Sequence, residues 1–222
     1  MDKLVRIAIA GEGGQGVQSI ADILAEAGNE EGKEALYIPN FGIEQRGGVS
    51  LAYVQIGDKL IGSPKFEEGD VVVALSERAV KRIISYVGSN TIFVYDNSLI
   101  VIPEVTEEIE NMPSYQAMDT NKEKELFREK INNSIHIQKT AATVTGVPAT
   151  DLAKRELHPR VFNVIVLGAV IEAAKIVSEE SVKRAMENNL GRKFEKDPAL
   201  RELNHKALHK GIEIIRKALV RS

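Results

Sequence analysis

The chain has 222 residues, of which 43% are hydrophobic and 27% charged, and its formal net charge is −3. This length suffices for one sizeable core, and the small net charge, without a basic stripe, argues against nucleic-acid binding. The apolar stretch 161–170, broken by Asn163, is about half of the roughly 20 residues that a membrane span needs. No membrane span is therefore expected, and the absence of a signal-peptide layout at the start predicts a cytoplasmic location.

The chain contains no cysteine. This excludes disulfides, thiolate zinc sites, a cysteine nucleophile and iron–sulfur clusters held by cysteine. Any iron–sulfur cluster that serves this protein must therefore be held by another chain.

The first forty residues predict a strand, a glycine-rich turn, a helix and a second strand. Residues 4–10 are a nearly continuous apolar run, and residues 17–29 carry apolar side chains at helical spacing. Residues 11–16 form the turn between them, and residues 35–38 are the next short strand. Together they have the size of one β–α–β unit, about 30 residues.

The middle of the chain predicts further strands and a capped helix. Residues 71–75 are a fully apolar strand, after which Ser76 can cap a helix over residues 77–87. The other predicted elements are a hairpin of residues 50–56 and 60–62 that turns at 57–58, a strand at 91–95, a linker at 111–121, a charged helix at 123–131 and a last strand at 135–140.

After Pro148 the pattern is helical to the end of the sequence. Helix starts are expected at Thr150 or Asp151, at Ser178, and at Asp197 followed by a proline. Strands that alternate with helices, followed by a helical tail, predict an α/β fold. The expected architecture is a Rossmann-like, doubly wound, mostly parallel sheet with C-terminal helices, in one domain over residues 1–222.

Residues 11–16 (GEGGQG) fit the pattern G-x-G-x-x-G between a strand and a helix. Glycines permit a tight turn, and the helix N-terminus offers free N–H groups to an anion. A dinucleotide site would also need a carboxylate at the end of the second strand, but that strand ends in Ile38, Pro39 and Asn40 and Glu34 precedes it. The loop is thus predicted to bind phosphate rather than NAD; the alternative is that its glycines only permit close packing. The candidate ligand-binding residues here are Gly11, Gly13, Gly14, Gln15 and Gly16.

A second candidate loop, residues 41–48, leaves the carboxyl end of the second predicted strand. Ligands of open α/β sheets bind at this edge, and an arginine guanidinium binds phosphate or carboxylate through two hydrogen bonds. The candidate residues are Asn40, Arg46, Gly47 and Gly48. The alternative is a rigid surface loop with Arg46 paired to Glu44 or Glu12.

Other polar residues are poorer candidates. His205 and His209 are four residues apart on a predicted helix, but they lack the glutamate of an H-E-x-x-H motif, so no metal site is predicted. Asp96 follows a buried strand; turn capping is favoured over contact with a nucleotide because Asp-Asn-Ser is strong turn chemistry. No catalytic residue is predicted.

Residues 11–27 (GEGGQGVQSIADILAEA) and 41–57 (FGIEQRGGVSLAYVQIG) resemble two signature stretches of the gamma subunit, or POR-type domain, of 2-oxoacid:ferredoxin oxidoreductases. This family includes enzymes for pyruvate, 2-oxoglutarate and ketoisovalerate. Further segments recur in the family's order, so the resemblance covers nearly the whole chain. They are residues 63–76, 147–151, 163–169 and 202–207.

The resemblance implies a complex that converts a 2-oxoacid, CoA and oxidised ferredoxin to acyl-CoA, CO₂ and reduced ferredoxin. It implies alpha and beta subunits that carry thiamine diphosphate with Mg, and 4Fe–4S clusters on partner chains, among them a ferredoxin-type delta subunit. CoA is the candidate ligand of this chain. Because the chain has neither cysteine nor the G-D-G…N pattern that holds the metal of thiamine diphosphate, it is expected to bind none of these cofactors alone.

The oxoacid is not specified by the sequence, although residues 191–204 look closest to 2-oxoglutarate-type gamma chains. Two alternatives remain open. One is a stand-alone nucleotide-binding regulatory protein without a catalytic partner. The other is the related subunit of indolepyruvate:ferredoxin oxidoreductase.

Overall fold

The computed structural model of the chain describes residues 3–40, 48–101, 129, 133, 136–137 and 140–220. The described strands are β1 (Leu4–Glu12), β2 (Glu34–Asn40), β3 (Val49–Gly57), β4 (Gly69–Ala74), β5 (Val87–Asp96) and β6 (Thr143–Val147). The described helices with defined bounds are α1 (Val17–Glu30), α2 (Glu77–Ile83), α3 (Ala149–Glu156), α4 (Phe162–Ala174), α5 (Glu179–Lys196) and α6 (Pro198–Leu219). Short 3₁₀ turns lie at Ile84–Tyr86 and Pro159–Val161.

The strands form one sheet in the order β2-β3-β1-β4-β5-β6. β1, β4, β5 and β6 are parallel to one another, while β3 is antiparallel to both of its neighbours, β1 and β2. The predicted α/β fold with a doubly wound, mostly parallel sheet and C-terminal helices is confirmed.

The sheet has an apolar core on each face, because alternate residues of a strand point to opposite sides. Val5, Ile7 and Ile9 of β1 face the first core, which α1, α4, α5 and α6 cover. Ala8 and Ala10 face the second core, which contains the buried side of α2. Among the described residues, no helix has both the length and the apolar character that a bilayer crossing requires.

The predicted hairpin of residues 50–56 and 60–62 is wrong. β3 contains the first of these segments, but residues 58–68 form no strand. The physical reason is that both edges of β3 are already paired, one with β1 and the other with β2. Because β3 lies between β1 and β2 in the sheet, the first β–α–β unit does not join adjacent strands.

Three other predictions need correction. The predicted strand 135–140 is wrong, because His136, Ile137 and Thr140 are helical and the last strand is β6. The helix after Ser76 ends at Ile83 rather than at residue 87, where β5 begins. Helix α3 begins at Ala149, so both predicted capping residues, Thr150 and Asp151, lie inside the helix.

Three helix caps are confirmed. The side chains of Ser76, Ser178 and Asp197 accept hydrogen bonds from the backbone N–H groups three residues later, each at 3.2 Å. The predicted linker 111–121 lies outside the described residues, as does the predicted helix 123–131 except for Glu129, which is helical.

Helices α4 and α6 cross with their backbones in contact, and glycine makes this possible. A Cβ atom on Gly168 of α4 would overlap the carbonyl oxygen of Leu208, and a Cβ on Gly211 of α6 would overlap that of Ile165. Because the obstacles are backbone atoms, side-chain rotation cannot relieve the overlap. The close crossing lets α6 cover α4, which is apolar on nearly all sides and would otherwise expose them.

We predict that Gly168→Ala destabilises the protein by about 3 kcal/mol, because the added methyl group forces α4 and α6 apart. Gly191→Ala in α5 is the matched control, since a Cβ there meets no atom within 4 Å and alanine favours a helix by about 0.5–1 kcal/mol. Denaturant unfolding of both variants measures the difference. Equal stability of the two variants would contradict the described crossing.

Glu31, just after α1, joins the α1–β2 turn to the α4–α5 connection. Its carboxylate accepts hydrogen bonds from the backbone N–H of Ser178 and from Lys33 Nζ, both at 2.6 Å, and Lys33 also donates to the carbonyl of Ile176. Burial by itself raises the pKa of Glu31, but these hydrogen bonds outweigh it and lower the pKa from 4.5 to about 2.

Because the pKa of Glu31 is lower in the folded state, its stabilising effect is present above pH 4.5 and lost as the pH falls towards 2. Glu31→Gln should therefore lower the free energy of unfolding by about 1.5–3 kcal/mol near neutral pH, and the deficit should shrink in acid. Glu202→Gln, which alters the exposed pair with Lys206, should stay close to wild type because solvent screens that pair. Urea unfolding at several pH values measures this; a deficit that is constant down to pH 2 would contradict the assignment.

Candidate functional site

The carboxyl ends of β1 and β4 form a topological switch point. β1 and β4 are adjacent and parallel, yet β1 leads to α1 on the first face of the sheet and β4 leads to α2 on the second. Chain connections that leave in opposite directions open a crevice between two strands, and ligands of doubly wound sheets bind there. The predicted glycine loop lies at this position.

The glycine loop begins inside β1, since Gly11 and Glu12 still pair with β3. Gly14 and Gly16 have positive φ angles of 94° and 74°, which glycine adopts without strain. Gly13 and Gly14 are exposed at the tip. The loop therefore presents its backbone to solvent at the mouth of the crevice.

Helix α1 starts directly after this loop and lacks a side-chain cap. Gly16 precedes the helix, no described side chain accepts from its first turn, and that turn contains no acidic residue. The first N–H groups of a helix have no partner within it and carry partial positive charge. This helix start is accordingly suited to a phosphate group.

Asn163 at the start of α4 packs against the loop. A Cβ on Gly16 would lie 2.8 Å from Asn163 Nδ2 and 3.0 Å from Asn163 Cβ. Gly16 is therefore required both for its backbone angle and for this contact. The sequence reasoning did not assign Asn163 to the site, because no local pattern links it to a loop so distant in the chain.

Both polar atoms of the Gln15 side chain form hydrogen bonds within the protein. Its Oε1 accepts from the backbone N–H of Glu12 at 2.6 Å, and its Nε2 donates to the backbone carbonyl of Leu75 at 2.9 Å. Its own N–H donates to the carbonyl of Glu12 at 3.0 Å. Gln15 thus lies at the predicted site, and its carboxamide fixes the loop by bonding to the backbone of Glu12 and Leu75.

The two predicted loops meet in space. The N–H of Gly13 donates to the carbonyl of Gly48 at 3.1 Å, and Gly48 immediately precedes β3. Arg46 and Gly47 lie outside the described residues. The structure thus joins the glycine loop to the end of the second loop.

Asn40 ends β2 and hydrogen-bonds through its side chain to the Tyr53 hydroxyl, which also accepts from the Tyr86 hydroxyl at 3.1 Å. Burial, the largest cause, raises the pKa of Tyr53. The neutral phenol is therefore the form present at any physiological pH. Asn40 lies at the predicted edge, with its amide bonded to β3 rather than free.

Asp96 caps local structure, as the sequence favoured. It is buried; Oδ1 accepts from the N–H of Ser98 at 3.0 Å, and Oδ2 accepts from the N–H and hydroxyl of Thr150 at 3.2 and 2.5 Å. These bonds tie the end of β5 to the start of α3.

His205 and His209 lie near glutamates on α5 and α6. His209 Nδ1 is 3.5 Å from Glu179, and His205 Nε2 is 3.9 Å from Glu187, which also binds Arg201. Burial, followed by the nearby positive charge of Lys183, lowers the pKa of His205. Within the described part of the chain, no group of three or more His, Cys, Asp or Glu side chains is placed to hold a metal ion.

The fold and the site define a doubly wound α/β protein with a glycine loop at its switch point. The sequence pattern of the pyruvate ferredoxin/flavodoxin oxidoreductase family matches residues 6–214. A relative from Thermococcus litoralis, the pyruvate/ketoisovalerate oxidoreductases common subunit gamma, is 33% identical over 186 residues, or 83% of this chain and 86% of that protein. The chain therefore belongs to the pyruvate ferredoxin/flavodoxin oxidoreductase family, and its predicted similarity to gamma subunits is confirmed.

A second relative is a longer protein. Ketoisovalerate oxidoreductase subunit VorA from Methanothermobacter thermautotrophicus is 28% identical over 183 residues, which are 82% of this chain but 31% of that protein. The chain thus spans about a third of VorA. It matches the gamma subunit of Thermococcus litoralis over most of both lengths.

Two solved structures share the fold. The gamma subunit of a keto/oxoacid ferredoxin oxidoreductase from Geobacter sulfurreducens has a TM-score of 0.69 at 22% identity and covers 97% of this chain and 98% of its own. The 2-oxoglutarate:ferredoxin oxidoreductase from Magnetococcus marinus, with 2-oxoglutarate, coenzyme A and succinyl-CoA bound, has a TM-score of 0.72 at 23% identity over 97% of this chain and 31% of that one. At such identities the likeness shows the fold alone.

Proposed function

We propose that this chain, as one gamma-type domain over residues 1–222, is the gamma subunit of a cytoplasmic 2-oxoacid:ferredoxin oxidoreductase. The complex would oxidise a 2-oxoacid with CoA to acyl-CoA and CO₂ and pass the electrons to ferredoxin. Membership of the family supports this function, as does the match to a gamma subunit over 83% of this chain and 86% of that protein.

The role of this chain in the reaction is accessory. A sequence without cysteine cannot ligate an iron–sulfur cluster through thiolates, so partner chains would hold the 4Fe–4S clusters. A ferredoxin-type delta subunit would be among these partners, and the alpha and beta subunits would hold thiamine diphosphate with Mg. The oxoacid pocket would also lie mainly on partners, and the 2-oxoglutarate-type ending at residues 191–204 makes that oxoacid our proposed substrate.

We assign CoA to the crevice at the end of β1. The observation that carries this assignment is the uncapped start of α1 beneath exposed Gly13 and Gly14, next to the end of the second loop at Gly48. CoA is the reactant with a pyrophosphate and a further phosphate, and such groups suit helix N-termini. The helix start should contribute about 0.3–1 kcal/mol. Arg46 is proposed as the second ligand-binding residue, and a charge-assisted contact is worth about 1.5–3 kcal/mol.

The experiment uses the complex purified through a tag on this chain. Arg46→Ala should raise the KM for CoA by roughly tenfold to a hundredfold and leave the KM for the oxoacid almost unchanged. Gly14→Ala should also raise the KM for CoA, because its methyl group would stand at the exposed tip where no protein atom lies within 4 Å. Steady-state kinetics with CoA and oxoacid varied separately gives both values.

Gly32→Ala is the matched control for Gly14→Ala. Gly32 also has a positive φ, 69°, and a Cβ there also meets nothing within 4 Å, but it lies at the opposite end of α1. Both variants therefore place alanine at a positive φ beside open space, and only Gly14→Ala should affect CoA. Failure of the tagged chain to bring iron and thiamine diphosphate with it would contradict the subunit role. Unchanged KM for CoA in both Arg46→Ala and Gly14→Ala would contradict the CoA site.

A further inference from the structure

The ladder between β1 and β4 stops one hydrogen bond short of where the two strands could continue it. The N–H of Leu75 donates to the carbonyl of Ala10 at 2.9 Å. In a parallel ladder the next bond would run from the N–H of Glu12 to the carbonyl of Leu75. These two described groups do not bond to each other; each bonds to Gln15 instead.

The carboxamide of Gln15 occupies the place of the missing rung. Its oxygen accepts from Glu12 at 2.6 Å and its nitrogen donates to Leu75 at 2.9 Å. A carboxamide has the same acceptor and donor as a peptide group, so it satisfies both strands while keeping them apart. The spacing of the two strands at this point is therefore set by a side chain.

Gly11, which precedes Glu12 in β1, leaves space for the Gln15 carboxamide. A Cβ on Gly11 would lie 2.9 Å from Gln15 Oε1, 2.8 Å from Val17 Cγ2 and 3.2 Å from Leu75 Cβ. The φ of Gly11 is not positive, so the glycine is needed for space rather than for its backbone angle. The absence of a side chain at Gly11 thus makes room for the Gln15 carboxamide between the strands.

We propose that Gln15 is a positioning residue: its carboxamide holds β1 and β4 apart and thereby fixes the glycine loop in the form that binds the phosphates of CoA. The identity of the ligand rests on the proposed function, but the bridge that the Gln15 carboxamide makes between Glu12 and Leu75 does not. It gives Gln15 a structural role at the predicted ligand site, because both polar atoms of its side chain bond within the protein.

Gln15→Met tests the proposal, because methionine keeps the length of the side chain and removes its hydrogen bonds. In the purified complex, the KM for CoA should rise about fivefold to thirtyfold, while the KM for the oxoacid stays near wild type. The control is Gln55→Met. Gln55 is buried and, like Gln15, donates to a main-chain carbonyl, that of Ser63 at 2.7 Å. It pairs with Arg6, towards the other end of β1.

A second measurement tests the bridge between the two strands directly. Backbone hydrogen exchange of Glu12, measured without CoA, should be faster in Gln15→Met than in wild type, because its N–H loses its acceptor. Unchanged exchange at Glu12 would overturn the proposal.

The kinetic outcomes distinguish this proposal from the proposed function. If Gly14→Ala raises the KM for CoA and Gln15→Met changes it no more than Gln55→Met does, the positioning role of Gln15 is overturned and the CoA site stands. If neither Gly14→Ala nor Gln15→Met affects CoA, the CoA site itself fails. A selective effect of Gln15→Met together with faster exchange at Glu12 supports the proposal.

Discussion

The close contact between the backbones of α4 and α6 is the constraint on which the first core depends. Gly168 and Gly211 allow this contact because they have no Cβ atom. It allows α6 to cover a helix that is apolar on nearly all sides, and that helix lies against the sheet in the first core. The N-terminal end of α4 then brings Asn163 against Gly16. Packing between two helices in the second half of the chain thus fixes one side of a loop that follows the first strand.

The opposite side of the loop is fixed by the sheet. Gln15 bridges the ends of β1 and β4, and Gly13 bonds to Gly48 at the start of β3. Three separate parts of the chain therefore hold a loop whose own residues are mostly glycine. Such preorganisation lowers the conformational entropy that ligand binding must overcome. It would also let the exposed backbone at Gly13 and Gly14 serve the proposed CoA site without any described side-chain ligand.

The features that the sequence predicted correctly are those set by local chemistry. The glycine pattern before α1 and the caps at Ser76, Ser178 and Asp197 depend on residues at most a few positions apart. What the sequence did not predict is contact between residues that are far apart in the chain. The insertion of β3 between β1 and β2 is decided by which strand edges are free, and the Gln15–Leu75 bond joins residues 60 positions apart. No spacing rule reveals such a contact, so the bridge that the Gln15 carboxamide makes between the two strands could not be predicted from the sequence.

The most direct test of the central claim is a cryo-electron microscopy structure of the complete complex with CoA bound. The account predicts a CoA phosphate oxygen within hydrogen-bond distance, about 2.7–3.2 Å, of a backbone nitrogen between Gly13 and the start of α1. The Gln15 carboxamide should still bridge Glu12 and Leu75. CoA held entirely by partner chains, with the glycine loop buried against a partner subunit, would contradict the account.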